Sequence, residues 1–179
     1  MKPGIVVIAA LSGSTAERIH EVQQRYDPRM ANELPPHLTL IGSSGMGPIS
    51  VRTSPEKLRE ALLPATQATS PMTLCFERPM QFMQSDVVVL PLDPNGPVRA
   101  LYEAMAERIR AARIVAERAR FTFTPHCTLS FYPELAPQAV RELLVMRFDE
   151  PVVVDAIQVY RATGPVGTQE LFELPLAGV

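Results

Sequence analysis

The sequence predicts an α+β fold built from two related halves, and three observations predict it. Apolar β-rich runs alternate with helical patterns, strand-like runs sit next to each other beside helical crossovers, and one short motif occurs twice. With 179 residues, 46% hydrophobic and 20% charged, the chain is long enough to bury about two-thirds of its unfolded surface as a single domain spanning 1–179.

The elements follow in order. Residues 5–11 form a continuous apolar strand, and Ser12-Gly13-Ser14 leads into an amphipathic helix over 15–26 that Pro28 helps to end. Pro35-Pro36 introduces a short strand at 37–41. Ser54-Pro55-Glu56 supplies an N-cap, a first-turn proline and a first-turn acid for a helix reaching about residue 63. Strands are expected at 72–76 and 86–92. The longest helix is expected over 97–116, where Val98, Leu101, Tyr102, Met105, Ile109, Ala112 and Ala116 share one face. A strand at 122–131, a helix at 137–146 and a closing strand pair at 151–160 and 170–176 complete the chain. Eighteen prolines mark many of the joints.

Charge and cysteine content narrow the function. Seventeen basic side chains against 19 acidic ones leave a net charge of −2 and an isoelectric point near 5.9, which argues against broad sheathing of nucleic acid. A nucleotide or a short oligonucleotide end remains compatible. No apolar run approaches the roughly 20 residues that a membrane-spanning helix needs, so a cytoplasmic protein with no membrane partner is expected. Cys75 and Cys127 make no disulfide framework and lack zinc-site spacing; both are expected to be small core residues.

The repeat carries the chemistry. Pro36-His37-Leu38-Thr39-Leu40 and Pro125-His126-Cys127-Thr128-Leu129 agree at four of five positions, and their histidines lie 89 residues apart, almost half the chain. On a strand, residues i and i+2 share a face, so His37 and Thr39, like His126 and Thr128, project from one side. Leu38, Leu40, Cys127 and Leu129 then point into the core. If the halves pack about a pseudo-twofold axis, two imidazoles and two hydroxyls meet in one cleft. An imidazole titrates near neutrality, so one ring can hold a proton while the other accepts one. Neutral hydroxyl donors suit the non-bridging oxygens of a phosphodiester. The third histidine, His20, lies mid-helix outside this setting and is read as a surface residue. With no carboxylate cluster beside the motifs, hydrolysis without a metal or other cofactor is the economical reading.

At these residues the sequence resembles the 2H phosphoesterase superfamily, which contains the bacterial proteins called 2′-5′ RNA ligases and the cyclic phosphodiesterases of RNA processing. Two His-x-Thr/Ser-x motifs define that family, and here they are His37-Leu38-Thr39-Leu40 and His126-Cys127-Thr128-Leu129. Phe123-Thr124-Pro125-His126 is similar to the family's approach to its second motif, and the stretch from Val159-Tyr160-Arg161 through Gly164-Pro165 to Phe172-Glu173-Leu174-Pro175-Leu176 to its C-terminal strand pair. The resemblance implies a bilobal α+β fold with two antiparallel sheets forming a central cleft and helices outside. It also implies hydrolysis of a cyclic phosphodiester, such as a nucleoside 2′,3′-cyclic phosphate or a related 1″,2″-cyclic phosphate, on a nucleotide or an RNA terminus. One histidine activates water, the other protonates the departing ribose oxygen, and Thr39 and Thr128 hold the phosphate. In the family the second-motif histidine is often cast as the base and the first as the acid. The reverse joining, a 2′-5′ RNA ligase-like activity, belongs to the same implication.

Other residues bear on substrate. Many RNA-active members carry Arg shortly after the second motif, where this chain has Ser130-Phe131-Tyr132; by period two, Ser130 and Tyr132 share the face of His126 and are expected to bind substrate. Ser43 lies in Gly42-Ser43-Ser44-Gly45-Met46-Gly47-Pro48, a loop of small donors able to approach an anion, without the Lys or spacing of a P-loop. Arg108, Arg110, Arg113, Arg118 and Arg120 scatter around their segment among Glu103, Glu107 and Glu117, as on a solvated face. The expected enzyme is a monomeric phosphodiesterase acting on a cyclic-phosphate nucleotide or a short RNA terminus. The competing readings are a nucleotide-binding module using the same cleft without turnover, and a pair of histidines ligating a metal.

Overall fold

Strand β1 (Gly4–Ala10) is an unbroken apolar run buried on both sides, and the sheet is laid out from it. The computed structural model describes residues 3–82, 86–131, 135–163 and 167–178. β1 is flanked on one side by β10 (Ala156–Ala162), which pairs in turn with the edge strand β11 (Thr168–Pro175). On its other side lie β2 (His37–Ile41) and, at the opposite end of β1, β3 (Met46–Ile49), which carries the short β7 (Ala116–Arg118). Beyond β2 come β8 (His126–Ser130), β6 (Val88–Pro91) and β5 (Met80–Gln81). All pairings among the described residues are antiparallel. A separate two-stranded sheet joins β4 (Met72–Leu74) to β9 (Val152–Val154).

The expected α+β class holds, but the expected pair of sheets is one continuous nine-stranded sheet with the small ribbon beside it. The reason lies in the motif strands. Leu38 and Cys127, the inward-facing middle residues of the two motifs, are direct partners, so β2 and β8 join the halves edge to edge. Around this joint the register repeats. Ala10, Ala9 and Ile8 of β1 face His37, Leu38 and Thr39; Pro91, Leu90 and Val89 of β6 face His126, Cys127 and Thr128. Even the register shifts correspond, falling at Val7/Ile8 and at Val88/Val89.

Helices cover one face of the sheet. Helix α1 (Ser14–Tyr26) buries Ala16, Ile19, Val22 and Tyr26, and α4 (Pro97–Ala111) buries Val98, Leu101, Met105 and Ile109, the 3.6-residue stripe of an amphipathic helix. The helices exchange partners: α1 follows β1 but packs on β8, and α4 follows β6 but packs on β2. Helix α2 (Pro28–Glu33) extends α1 after a break at Asp27, whose carboxylate caps it by accepting from Met30 N at 3.1 Å. Helix α3 (Pro55–Gln67) lies against α4 and β11, and α5 (Pro137–Leu144) against β6. One apolar cluster runs through both halves, from Ile5, Val7 and Leu38 to Cys127, Leu129 and Val159. A smaller cluster of Val6, Ile8 and Tyr160, with Leu34 against it, lies on the opposite face. Among the described residues no helix is long and apolar enough to cross a membrane.

Several boundaries differ from the sequence reading. The longest helix stops at Ala111 because Ala112 caps it and Arg113 turns into left-handed backbone at φ 52°, after which Ala116 begins an edge strand. Ser54 caps α3 as expected, but α3 runs through Pro64 to Gln67, its buried face continuing in Ala65 and Thr66. The 151–160 strand divides at Asp155, with β9 going to the small sheet and β10 to the large one. Cys127 is buried as expected, whereas Cys75 is exposed.

Truncation at the joint tests how much the two halves depend on it. Leu38 is 1% exposed, and Leu38→Ala should destabilise the protein by about 2–5 kcal/mol, read from the urea midpoint at unchanged slope.

Candidate active site

The alternation expected of both motifs is present. His37, Thr39, His126 and Thr128 are half-buried, while Leu38, Leu40, Cys127 and Leu129 are fully buried beneath them. Because Leu38 faces Cys127 in an antiparallel pair, counting one residue each way sets His37 beside Thr128 and Thr39 beside His126. The four side chains of two motifs 89 residues apart thus share one patch of one sheet face.

Both imidazoles are held alike. His37 Nδ1 lies 2.7 Å from the Pro35 carbonyl oxygen, and His126 Nδ1 lies 2.7 Å from that of Thr124, in each case two residues upstream. A carbonyl only accepts, so each Nδ1 carries the proton and donates it. Nε2 is therefore the nitrogen free to exchange protons on the open face. The chain entering each strand is fixed in the same way, with Leu11 N donating to Pro36 O at 2.9 Å and Leu92 N to Pro125 O at 3.1 Å.

Burial lowers the pKa of both rings below the ordinary 6.5, opposed in each case by the carbonyl hydrogen bond. For His37 the positive charge of the neighbouring His126 lowers it further. Two mutually repelling rings favour one shared proton over two. Beneath them, burial pushes the Cys127 thiol up to about 12, which keeps it protonated at neutral pH. Among the described residues, no group of three or more His, Cys, Asp or Glu side chains comes together that could hold a metal ion.

The other expected site residues fall differently. Ser43 is exposed in the turn after β2, where Gly42 and Gly45 take φ of 137° and 72°. This turn is pinned: Gly45 N donates to Phe121 O at 2.8 Å, and a Cβ on Gly45 would run into the Tyr102 hydroxyl and Phe123. Phe123 stacks on Tyr102 with ring centroids 4.0 Å apart, so the same contacts hold the approach to His126. Ser130 is a correction. It is fully buried and offers no atom to a ligand on the open face, because β8 carries an extra residue at Leu129, with Thr128 and Ser130 opposite the adjacent Val89 and Val88, and this breaks the alternation there. Tyr132 and the Gly164-Pro165 dipeptide lie outside the described residues. Arg108, Arg110, Arg113, Arg118 and Arg120 are exposed, as expected of a solvated face. His20 is only partly exposed, with a buried Nδ1.

Two residues near the motifs escaped the sequence reading. Phe82 stands edge-on to His126, ring centroids 4.7 Å apart at 77°. The alternation of Met80 and Phe82 was its one signal, weakened by the absence of a turn dipeptide in Met83-Gln84-Ser85. Gln23 reaches β8 from α1, and its signal was a polar residue amid the apolar spacing Ile19, Val22, Tyr26.

The electrostatics can be read by following the ring protons through a proton NMR titration. Both histidines should titrate below 6.5, and His126→Ala should raise the His37 value, since it removes both a neighbouring charge and some of the burial.

Comparison with known proteins accords with this geometry. A family model for the 2′-5′ RNA ligase superfamily matches residues 11–165. No curated protein matches the chain. Among solved structures, E. coli LigT complexed with 3′-AMP is similar at 19% identity and a TM-score of 0.65, covering 98% of this chain and 99% of that one. A Thermus thermophilus protein is similar at 18% identity and a TM-score of 0.69, covering 97% and 98%. A structure described as a phosphoesterase reaches 20% identity and a TM-score of 0.61, covering 97% and 98%. At these identities the structures establish a shared fold, and the family model adds descent over most of the length: the chain belongs to the 2′-5′ RNA ligase superfamily, the 2H phosphoesterases.

Proposed function

We propose that the protein hydrolyses a cyclic phosphodiester, a 2′,3′-cyclic phosphate or the related 1″,2″-cyclic phosphate of a nucleotide or RNA terminus, by general acid and base catalysis between His37 and His126. The observation that carries the reading is the convergence of the two motifs about Leu38 and Cys127, with both Nε2 atoms left free by identical Nδ1 hydrogen bonds. The E. coli LigT structures with 3′-AMP and with ATP support a nucleotide as the ligand class.

In this reaction a neutral Nε2 takes a proton from water as the water oxygen bonds to phosphorus. The bond from phosphorus to one ribose oxygen breaks in line, and the protonated Nε2 of the other ring gives that oxygen its proton. One proton leaves water and one reaches the leaving group, so the pair ends the cycle with the proton exchanged between rings. Thr39 and Thr128 donate hydroxyl hydrogen bonds to the non-bridging oxygens, where charge must be held in the transition state. Ser43, exposed beside β2, is the further substrate contact we retain. The bound phosphate, an anion between two imidazoles, raises the lowered pKa values and favours the singly protonated pair.

The test uses purified protein with EDTA and a panel of 2′,3′-cyclic nucleotides, ADP-ribose 1″,2″-cyclic phosphate and a 2′-5′ linked dinucleotide. Turnover should survive EDTA, and His37→Ala and His126→Ala should each reduce kcat by about 10²–10⁴-fold. Undiminished turnover in both variants overturns the assignment. Tight mononucleotide binding with no hydrolysis of any substrate would favour the binding-module reading.

The pH profile is a second check. Because both free rings have pKa values below 6.5, the acid limb of kcat/KM should lie below 6.5, and the rate should fall again as pH rises and the acid partner loses its proton. The kcat profile, which reports the phosphate-bound pair, should be displaced to higher pH.

A further inference from the structure

Gln23 sits on the buried face of α1 and is 3% exposed. Its Nε2 donates to the backbone carbonyl oxygen of Thr128 at 2.7 Å. One helical turn on, Asp27 is also buried, and its Oδ2 accepts from Phe131 N at 2.8 Å while Oδ1 caps α2. One contact falls on β8 at Thr128 and the other on Phe131 just past its end, both beyond Cys127, where the register with β2 has ended at its one pair. Two side chains of the first half thus take up backbone groups of the second motif's strand and of the residue that follows it.

The equivalent helix lacks this device. Buried positions 15, 19, 22, 23 and 26 of α1 recur 83 residues on in α4 at 98, 102, 105, 106 and 109. On that correspondence Gln23 is matched by Ala106, which has no donor to offer β2. The two motifs are alike in sequence but held differently from below.

We infer that Gln23 is a positioning residue for Thr128, acting through the Thr128 carbonyl to aim its hydroxyl at the phosphate. This rests on the proposed phosphate site. Holding the carbonyl fixes the Thr128 backbone dihedrals and hence the direction of its Cα–Cβ bond; the β-branched side chain then has few rotamers left. Gln23 does not touch the substrate. Its Oε1 is buried and unpartnered in the structure, so Gln23→Met removes that unsatisfied group at the same time as it takes the amide donor from the Thr128 carbonyl, and the two changes offset in stability. Gln23→Met should therefore fold.

The experiment is a double-mutant cycle on the full chain with inorganic phosphate as the probe, read by calorimetry in wild type, Gln23→Met, Thr128→Ala and the double variant. Gln23→Met should weaken phosphate binding about tenfold when Thr128 is present and less than about twofold when it is Ala, with the melting temperature within a few degrees of wild type. Gln23→Glu adds a signature that packing does not give. A buried carboxyl donates to the carbonyl only when protonated, so the kcat ratio of this variant to wild type should rise as pH falls. Equal weakening in both Thr128 backgrounds, or none, overturns the positioning role. Wild type that binds no phosphate brings down the site and this role together. Wild type that binds phosphate but hydrolyses nothing removes the reaction alone, and the phosphate cycle then decides the role of Gln23.

Discussion

A single antiparallel register pair, Leu38 against Cys127, governs the rest of the molecule. Each of these residues is the buried centre of a motif, and pairing them fixes three things at once. It makes one sheet of two half-sheets, it brings the flanking His and Thr residues to the same face, and it sets the repeat's local symmetry, in which β1 and β6 stand in equivalent places. A one-residue slip would turn every motif side chain to the opposite face. The apolar cluster under both strands therefore specifies which face is polar, because a one-residue slip would bring Leu38, Leu40, Cys127 and Leu129 out into water.

On that frame the imidazoles need little further machinery. A carbonyl two residues upstream selects the tautomer, burial disfavours the charge, and each ring's charge disfavours the other's. The opposite wings of the same sheet face differ. Beyond β1 lies a polar network in which the Tyr160 hydroxyl is 3.1 Å from Gln158 Oε1 and 3.2 Å from Glu170 Oε2, with burial and that carboxylate pushing Tyr160 up to about 12. Beyond β8, Met80 is exposed and Phe82 leans on His126. Symmetry of the motifs is thus combined with asymmetry of their surroundings.

Much of this was legible in the order of residues. Period two in His37-Leu38-Thr39-Leu40 and its repeat told which side chains were buried, and the structure agrees position by position. Apolar stripes placed the helices. What escaped was set by distant partners rather than local pattern. Whether two half-sheets stay apart or fuse depends on edge pairing between positions 38 and 127, which no window of neighbouring residues contains. Ser130 fits the period-two alternation in sequence and loses it to an extra residue in its own strand, which shows only in the pairing of β8 with β6. Asp155 carries no turn signal strong enough to reveal that a continuous β-rich stretch serves two sheets. Gln23 was readable as an anomaly, a polar side chain among apolar ones, but its target was not.

The exchange of helices between the halves has a consequence for how the molecule comes into being. Gln23 meets Thr128 across 105 residues and Asp27 meets Phe131 across 104, while β1 near the beginning pairs with β10 near the end. Such non-local contacts carry a loop-closure entropy that must be met before they stabilise anything, so the chain is expected to acquire order late and cooperatively rather than half by half. During synthesis the first motif would emerge long before the strand it needs. Its histidine would then wait beside an unmade neighbour, exposing the β2 edge and the apolar side of α1 until the remainder of the polypeptide arrives.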